Sequence, residues 1–435
     1  MRLPRYLLPL VIVFAAAGAQ AAPGGGIPRA AKPEAVGFST ERLEKLHAGF
    51  EQLVASKQLP GYVTVVARHG KIVAFNAGGM QDIAGNVPMK TDTIFYMASQ
   101  TKVLNAVGMM MLYEEGKWRA EDPISKFLPE FANLKVQTGV DKDGKFTLED
   151  PKHAPTMGEL MTMTAGFSYA NYPDSNPIDR MYRDTHVLQS PNLGELVNRI
   201  AKIPLLYQPG THWAYSASAD IQGAIIEKLS GQKIADFYRQ RLFLPLGMKD
   251  SSFQVPPEKL GRLAKIYHVD RDAGTLTPTP MTSPEGTPPN VVSGAGGLYT
   301  TAEDYLRFAL MLVNNGELNG ARILSPSSVK LMRTNHLADS LIASGQTDGC
   351  LGRPCHVKPG YGYGYDVAVA YDPIAWGSTL GAGSYHWGGA FGTWFWVDPT
   401  NDLVFVGMIQ VMGQRKDVRE LSQTWTYQAL VDPEI

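Results

Sequence analysis

The sequence predicts an α/β (α+β) three-layer fold, in which one antiparallel β-sheet is built from the N- and C-terminal parts of the chain and is flanked by helices. Two short apolar runs at 61–79, separated by His69-Gly70, have the composition of a β-hairpin. Strand-like segments rich in aromatic and β-branched residues return after about residue 360. Helix-like segments separated by Pro and Gly lie between these ends. We therefore expect a mostly helical inserted domain packed against the sheet.

The N-terminal part of the predicted sheet domain, residues 33–116, has a helix, a hairpin and a second helix in that order. Ser39 is a favourable N-cap for the first helix. Four apolar residues then follow at helical spacing: Leu43, Leu46, Phe50 and Leu53. The second helix covers about 99–115 and ends at Gly116, a residue that commonly terminates helices.

The middle of the chain, residues 117–309, is predicted to be the helical inserted domain. It contains a long irregular segment at 272–297 that is rich in Pro, Thr and Gly. Such segments are uncommon inside compact domains and often form the rim of a site. The sheet domain resumes at 310–430, where strand-like segments precede a closing helix at about 418–430.

The composition is that of an ordinary globular protein, with 435 residues of which 44% are hydrophobic and 19% charged. Lys plus Arg number 40 and Asp plus Glu number 41, and no basic cluster stands out, so we do not expect nucleic-acid binding. The two cysteines, Cys350 and Cys355, lack histidine partners at the spacing of a zinc site. They form a small disulfide loop or remain two free thiols, and either way we expect a structural role.

The first 21 residues have the three parts of a secretory signal peptide. Arg2 and Arg5 precede an apolar core from Leu7 to Ala17, and Ala19-Gln20-Ala21 is a cleavage site of small residues. We expect cleavage after Ala21 and an exported protein, periplasmic or secreted. The alternative is an uncleaved N-terminal anchor, although the apolar core is short for a membrane span. No later stretch predicts a stable span after cleavage.

Three serine–lysine pairs share the S-x-x-K spacing: Ser99/Lys102, Ser230/Lys233 and Ser327/Lys330. The second pair straddles a helix end at Gly231, and the third begins a helix that Ser325 caps. Capping explains both of these pairs, which leaves the first pair as the candidate for chemistry.

The first pair differs because the helix that follows it is apolar on every side. Residues 103–112 leave no wide polar face, which is typical of a buried helix. Lys102 then lies away from water on the same helix face as Ser99, and a buried ammonium needs hydrogen-bond partners. A base beside a serine, together with the free N–H groups of a helix start, meets the needs of an activated nucleophile. The alternative is a capping serine with Lys102 extending to solvent.

Two further segments add candidate groups. Tyr215 precedes a helix, and its phenol is a candidate proton relay; the alternative is a core tyrosine. The other segment runs through four residues before a strand: His386, Trp387, Gly388 and Gly389. Paired glycines allow a ligand to approach the backbone closely, and the N–H of Ala390 is then a candidate oxyanion donor. The alternative for the glycines is a bulge.

In order and spacing, the three motifs resemble those of the serine β-lactamase and penicillin-binding-protein superfamily. The resemblance covers about residues 33–430 and implies a β-lactamase/transpeptidase-like fold. Ala217 replaces the asparagine of the usual Tyr-x-Asn motif, and no lysine is present in the third motif. Trp387-Gly388-Gly389 is instead similar to the W-G-G of β-lactamase-like carboxylesterases. The missing positive charge disfavours a carboxylate-bearing substrate.

The resemblance implies a serine hydrolase, most similar in motif style to an esterase, that acts on a small-molecule ester, lactam or amide without a cofactor or metal. Ser99 is the implied nucleophile, Lys102 and Tyr215 its base pair, and the N–H groups of Ser99 and Ala390 the oxyanion donors. His386 to Gly389 are the implied substrate-binding residues. The alternatives are a β-lactamase or a D,D-peptidase or D-aminopeptidase-like hydrolase, an acyltransferase, and a non-catalytic binding module.

An unrelated alternative is an α/β-hydrolase whose nucleophile lies in a G-x-S-x-G turn. The nearest match places Ser168 in "GFSYA", where Ala170 stands in place of the second glycine. This serine follows a helix-like segment, whereas the α/β-hydrolase turn follows a strand. The sequence therefore disfavours this alternative.

Overall fold

The structure is a computed structural model of the chain. It describes residues 25–142, 145–169, 177–270, 275–279, 293–348 except 345–346, 358–413 and 417–435. The predicted signal peptide at 1–21 lies outside the described residues, as do Cys350 and Cys355. Their predicted cleavage and pairing therefore stay predictions.

The strands of the described chain form one large sheet and several short ribbons. In chain order they are β1 Gly61–Arg68, β2 Lys71–Asp82, β3 Val87–Pro88, β4 Phe95–Tyr96, β5 Val136–Val140, β6 Phe146–Glu149, β7 Trp213–Ala214, β8 Tyr267–Asp270, β9 Thr275–Pro278, β10 Tyr299–Thr300, β11 Glu317–Leu318, β12 Ala321–Arg322, β13 Thr347–Asp348, β14 Tyr361–Tyr363, β15 Ala368–Ala370, β16 Ser384–Gly388, β17 Thr393–Asp398, β18 Leu403–Met408 and β19 Val411–Met412.

The large sheet has eight antiparallel strands in the order β14-β15-β16-β17-β18-β1-β2-β3. Strand β1 near the start of the chain pairs with β18 near its end, in a register that runs from Val63 opposite Met408 to Arg68 opposite Leu403. The prediction of one antiparallel sheet built from both ends of the chain is therefore confirmed. The β1–β2 turn is tight because both His69 and Gly70 adopt positive φ angles, which suits a two-residue hairpin.

The α-helices lie on both faces of the sheet, and most of those in the described residues belong to the chain between its two halves. They are α1 Thr40–Ala55, α2 Lys102–Glu114, α3 Met157–Met161, α4 Pro177–Asp184, α5 Leu193–Ile200, α6 Ser218–Ser230, α7 Ile234–Tyr238, α8 Leu244–Leu246, α9 Ala302–Val313, α10 Pro326–Met332, α11 Asp339–Ser344, α12 Pro373–Trp376 and α13 Val418–Tyr427.

The three predicted layers are visible in the aromatic contacts of the sheet. On one face, Phe50 of α1 stacks on Trp394 of β17 and meets Trp425 of α13 edge to face. On the other face, Tyr305 of α9 packs against Phe395, the next residue of β17. Because successive strand residues point to opposite faces, these contacts place the sheet between two layers of helices.

Residues 117–309 contain helices α3 to α8. They also contain two hairpins that the sequence did not predict, β5–β6 and β8–β9. Helix α6 of this region packs against α2, so the region meets the sheet domain at the predicted nucleophile helix. The limits of the inserted domain stay a prediction. Among the described helices, none combines the length and the apolar character that a membrane span needs.

Candidate active site

Ser99 lies in a short 3-10 turn, Ala98–Thr101, that leads directly into α2. Ala98 has a φ of 45°, a left-handed conformation that costs free energy for a residue with a side chain. Thr101 holds this turn, because its hydroxyl donates to the carbonyl of Ala98 and accepts from the N–H of Leu298. Every residue from Lys102 to Leu112 is buried, which confirms the prediction of a helix with no exposed face.

The structure brings the three predicted catalytic side chains together. The Tyr215 hydroxyl donates to Ser99 Oγ across 2.6 Å, although the two residues are 116 positions apart. Lys102 Nζ donates to the same oxygen across 3.3 Å. Ser99 Oγ is therefore within proton-transfer distance of two groups that can act as bases.

The surroundings of Lys102 exclude the alternative in which this side chain extends to solvent. The residue is 0% exposed, and its Nζ donates to the carbonyl of Ala295 at 3.0 Å. The ammonium also lies 4.7 Å from the ring centre of Tyr215 and 5.1 Å from that of Tyr169. Aromatic faces stabilise a desolvated cation, so Lys102 is held by one carbonyl and two rings beside the serine.

Tyr215 is positioned by the backbone on both sides of it. The N–H of Ala214 donates to the carbonyl of Met163, and the N–H of Ala217 donates to the carbonyl of Ser168. Helix α6 begins directly afterwards. The Tyr215 ring then packs between those of Tyr169 and Trp387, at centroid distances of 5.3 and 6.0 Å.

The third predicted motif lies on β16 and the turn after it. Trp387 contacts the rings of Tyr215 and Tyr363, which places it beside the predicted catalytic groups. A side chain at Gly389 would collide with the carbonyl of Met97, two residues before Ser99. The close approach that this glycine permits is therefore to the nucleophile turn of the same chain, whereas the sequence analysis assigned it to a ligand.

His386 is not brought to Ser99, and its predicted contact with substrate needs correction. It neighbours Trp387 on β16 and therefore points to the opposite face of the sheet. There it is 1% exposed, and its ring lies 5.2 Å from that of Tyr361. It is also paired in register with Trp396, whose ring packs with Tyr427 of α13 on that face.

Ala390 lies in an exposed turn after β16. The N–H of Gly389 donates to the carbonyl of Thr393, and the N–H of Gly392 donates to the carbonyl of Gly389. The Ala390 N–H makes no hydrogen bond within the described part of the chain. This arrangement leaves a donor beside the nucleophile turn, while its role in binding an oxyanion stays a prediction.

Sequence reasoning did not single out three groups around Lys102: Tyr169, Asp220 and the carbonyl of Ala295. Asp220 is 1% exposed and accepts from Ser293 and from the N–H of Ala295. Burial raises the pKa of the Asp220 carboxyl, whereas the charge of Lys102 opposes that rise. A carboxylate between the apolar residues Ala219 and Ile221 of α6 was the available signal for this residue.

The two other S-x-x-K pairs are structural, as predicted. Gly231 ends α6 with a φ of 70°, and Lys233 pairs with Glu227 at 3.2 Å. Ser325 caps α10, and Ser327 is exposed to solvent. Ser168, the alternative nucleophile, is buried, follows a helical segment and donates its hydroxyl to Asp179. Ser230, Ser327 and Ser168 therefore all lack the surroundings of Ser99.

Comparison with known proteins decides the family. The family model described as Beta-lactamase matches residues 46–428, which is most of the chain. This chain belongs to the beta-lactamase family.

Similar proteins include an uncharacterized protein of Mycobacterium tuberculosis, 34% identical over 372 residues, which are 85% of this chain and 90% of that protein. Esterase EstB of Burkholderia gladioli is 31% identical over 377 residues, 81% of this chain and 86% of EstB. Among solved structures, EstCE1, a hydrolase with promiscuous acyltransferase activity, superposes with a TM-score of 0.72. The match covers 90% of this chain and 99% of EstCE1 at 24% identity.

These comparisons confirm the β-lactamase/transpeptidase-like fold and the superfamily that the motifs predicted. They also confirm that this member of the beta-lactamase family is a serine hydrolase. The described residues contain no cluster of three or more His, Cys, Asp or Glu side chains that could hold a metal ion.

Proposed function

We propose that the chain is an exported carboxylesterase that works through an acyl-enzyme on Ser99. The observation that carries this proposal is the pair of contacts to Ser99 Oγ, from Tyr215 at 2.6 Å and from the buried Lys102 at 3.3 Å. A serine placed this way between two potential bases at a helix start is equipped for nucleophilic attack. The similarity to esterase EstB supports an ester as the substrate.

The reaction has two half-reactions that use the same groups. Ser99 Oγ attacks the ester carbonyl carbon while its proton passes to the Tyr215–Lys102 pair. The N–H groups of Ser99 and Ala390 stabilise the negative charge that develops on the carbonyl oxygen. The carbon–oxygen bond to the alcohol then breaks, and the pair returns the proton to the departing alcohol.

The acyl group now on Ser99 is removed by water. The Tyr215–Lys102 pair takes a proton from the water molecule as its oxygen attacks the acyl carbon. The bond to Ser99 Oγ breaks and the same pair returns the proton to that oxygen, which releases the acid. Each proton taken in one step is returned in the next, so the cycle needs no cofactor.

Esters without a carboxylate near the scissile bond are the favoured substrates. The third motif has no lysine, in contrast to the Lys-Thr-Gly motif of penicillin-binding relatives, and His386 or Trp387 takes its place. The Trp387 ring packs with Tyr215 and Tyr363. The charge of Lys102 is engaged by Ser99 and Ala295. An aromatic wall of this kind favours apolar groups and offers an anion no partner.

A panel of p-nitrophenyl esters and the β-lactam nitrocefin, assayed on the wild type and on Ser99→Ala, tests the proposal. We expect ester hydrolysis in the wild type and a loss of about 10³-fold or more in Ser99→Ala, because the acyl-enzyme has no other attachment point. Ser327→Ala is the matched control, since it removes an exposed serine with the same S-x-x-K spacing. Full ester hydrolysis by Ser99→Ala contradicts the assignment, and fast nitrocefin turnover without ester cleavage contradicts the substrate class.

Export is supported by the charged, apolar and small-residue parts of the first 21 residues. N-terminal sequencing of the protein from a Gram-negative expression host is the test. We expect a mature chain that begins at Ala22 in the periplasmic or culture fraction. A cytoplasmic protein that still begins at Met1 contradicts export.

A further inference from the structure

Asp220 lies in the first turn of α6 and binds a short backbone segment from elsewhere in the chain. Its Oδ1 accepts from the Ser293 hydroxyl at 2.6 Å and from the N–H of Ala295 at 3.1 Å. Its Oδ2 is buried and makes no hydrogen bond within the described residues. We call this segment, residues 293–295, the strap. Both contacts of Asp220 with the strap are therefore made by one oxygen.

The strap reaches the catalytic lysine through its backbone. The carbonyl of Ala295 accepts from Lys102 Nζ at 3.0 Å, while the N–H of the same residue is bound to Asp220. Ala295 is completely buried. A side chain at Gly294 would collide with the carbonyl of Ala219, so the strap lies tightly against the start of α6.

We propose that Asp220 is a positioning residue that fixes the strap so that the Ala295 carbonyl holds Lys102 beside Ser99. The inference rests on the proposed function, since it gives Asp220 a role in the same reaction. The start of α6 then positions both groups that bind Ser99 Oγ, with Tyr215 just before the helix and Lys102 reached through the strap.

Burying the Asp220 carboxylate lowers the stability of the fold, and we attribute its presence here to the need to fix the position of the strap. Burial raises the pKa of the Asp220 carboxyl, which means that the protein disfavours the ionised group at this place. An amide at this position retains the oxygen that accepts both strap hydrogen bonds. The proposal therefore predicts that asparagine can replace aspartate here, whereas alanine cannot.

Asp304 provides a matched control because its carboxylate is buried and hydrogen-bonded in a similar way but has no link to Lys102. It is 2% exposed, lies in the first turn of α9, and accepts from the N–H of Asp250 at 2.7 Å and from the Ser251 hydroxyl at 3.0 Å. Burial raises its pKa to about 6. Asp304→Ala thus removes a buried carboxylate and two similar hydrogen bonds away from the reacting groups.

The experiment compares Asp220→Ala, Asp220→Asn and Asp304→Ala with the wild type. Ester kcat and KM, the rate of Ser99 labelling by a fluorophosphonate, and thermal unfolding are measured for each. We expect Asp220→Ala to lower kcat and the labelling rate by about 10²-fold, because small displacements of catalytic groups cost about this much. We expect KM to change less than about threefold and Asp220→Asn to recover most of the rate. Asp304→Ala should lose stability and keep kcat.

A folded Asp220→Ala enzyme with wild-type labelling contradicts the proposal, and so does an Asp220→Asn enzyme as slow as the alanine variant, since the charge would then be what matters. If Asp220→Ala does not fold, Ser293→Ala removes the hydroxyl that donates to Asp220 and accepts from the N–H of Ala295, and we expect it to lower the labelling rate by about threefold to tenfold. An unchanged labelling rate in Ser293→Ala contradicts the proposal. A wild type that fluorophosphonate does not label contradicts the proposed function itself, which separates the two failures.

Discussion

Two buried cations, Arg68 and Lys102, differ in the partners that surround them. Arg68, at the end of β1, is 2% exposed and donates to four backbone carbonyls, at distances of 2.6 to 3.1 Å. The acceptors come from distant parts of the chain: Val36, Asn401, Asp432 and Pro433. Arg68 therefore ties the two ends of the described chain to the sheet, with each of its nitrogens hydrogen-bonded.

Lys102 is fully buried, yet among the described residues it donates to only one carbonyl, that of Ala295, and to the Ser99 hydroxyl. Its other neighbours include the faces of Tyr169 and Tyr215. A cation saturated by carbonyls stabilises a structure, whereas one that is left facing a hydroxyl and two phenol rings can exchange a proton. The partners of a buried charge, rather than its burial, therefore distinguish a structural role from a chemical one.

Of substitutions at the two buried cations, Lys102→Met has the larger expected effect on activity, since it removes the charge beside Ser99 and retains most of the apolar volume. We expect kcat/KM for a p-nitrophenyl ester to fall by about 10³-fold, because one member of the proposed Tyr215–Lys102 base pair is lost. The free energy of unfolding should change little or rise, since an apolar side chain no longer bears the cost of desolvating an ammonium. Steady-state kinetics and urea unfolding of the same preparation check both parts. A loss of less than about tenfold in kcat/KM would show that Lys102 has a structural role, as Arg68 does.

The reverse pattern is expected for Arg68→Met. Four carbonyls lose their donor, and the free energy of unfolding should fall by about 3 kcal/mol or more, while kcat/KM per folded molecule stays the same. Urea unfolding at neutral pH measures the first quantity, and active-site titration with a fluorophosphonate measures the folded, reactive fraction for the second. Arg119→Met is the control, because Arg119 is exposed and a surface change of this kind should alter stability by no more than about 0.5 kcal/mol. An equal effect of the two substitutions would contradict the structural role of Arg68.

The same contrast explains what could be predicted from the sequence. The burial of Lys102 was predictable because the apolar run 103–112 is local and continuous with it. The burial of Arg68 was not, since it precedes a tight turn and is covered only when residues near 401 and 432 fold over it. Local patterns report on a residue's own helix or strand, whereas contacts over 300 positions depend on the complete fold.

The residues of the candidate active site also differ in how far the sequence predicts them. Tyr215 was found through the order of three motifs and their resemblance to a known superfamily, because no local pattern links it to Ser99. The contact of the Ala295 carbonyl with Lys102 was not predicted, because a backbone carbonyl leaves no mark in the sequence. Asp220 did leave a mark, as a carboxylate between the apolar residues Ala219 and Ile221, but its partners lie in a segment that the sequence indicated only as irregular.

His386 and Trp387 show that a sequence motif does not predict which face of a strand each of its side chains occupies. Both belong to the third motif, and the sequence analysis assigned both to substrate binding. Their separation follows from strand geometry, since adjacent side chains on β16 face opposite sides of the sheet. The motif identified the strand, while the face that each side chain occupies depends on the register with β17, which sets His386 opposite Trp396 and Trp387 opposite Phe395.

The smallest expected effect sharpens this distinction between the two faces. Trp387→Leu removes the ring that packs with Tyr215 and Tyr363, and we expect kcat/KM for an ester with an apolar acyl group to fall by about tenfold, the equivalent of about 1.4 kcal/mol. His386→Asn changes the far face of the same strand, where Tyr361 lies, so kcat/KM should stay within about threefold of wild type while the melting temperature falls. Kinetics on the same ester, with thermal unfolding alongside, compare the pair. A His386 variant that loses more activity per folded molecule than the Trp387 variant would return the imidazole to the substrate side and contradict the assignment of faces.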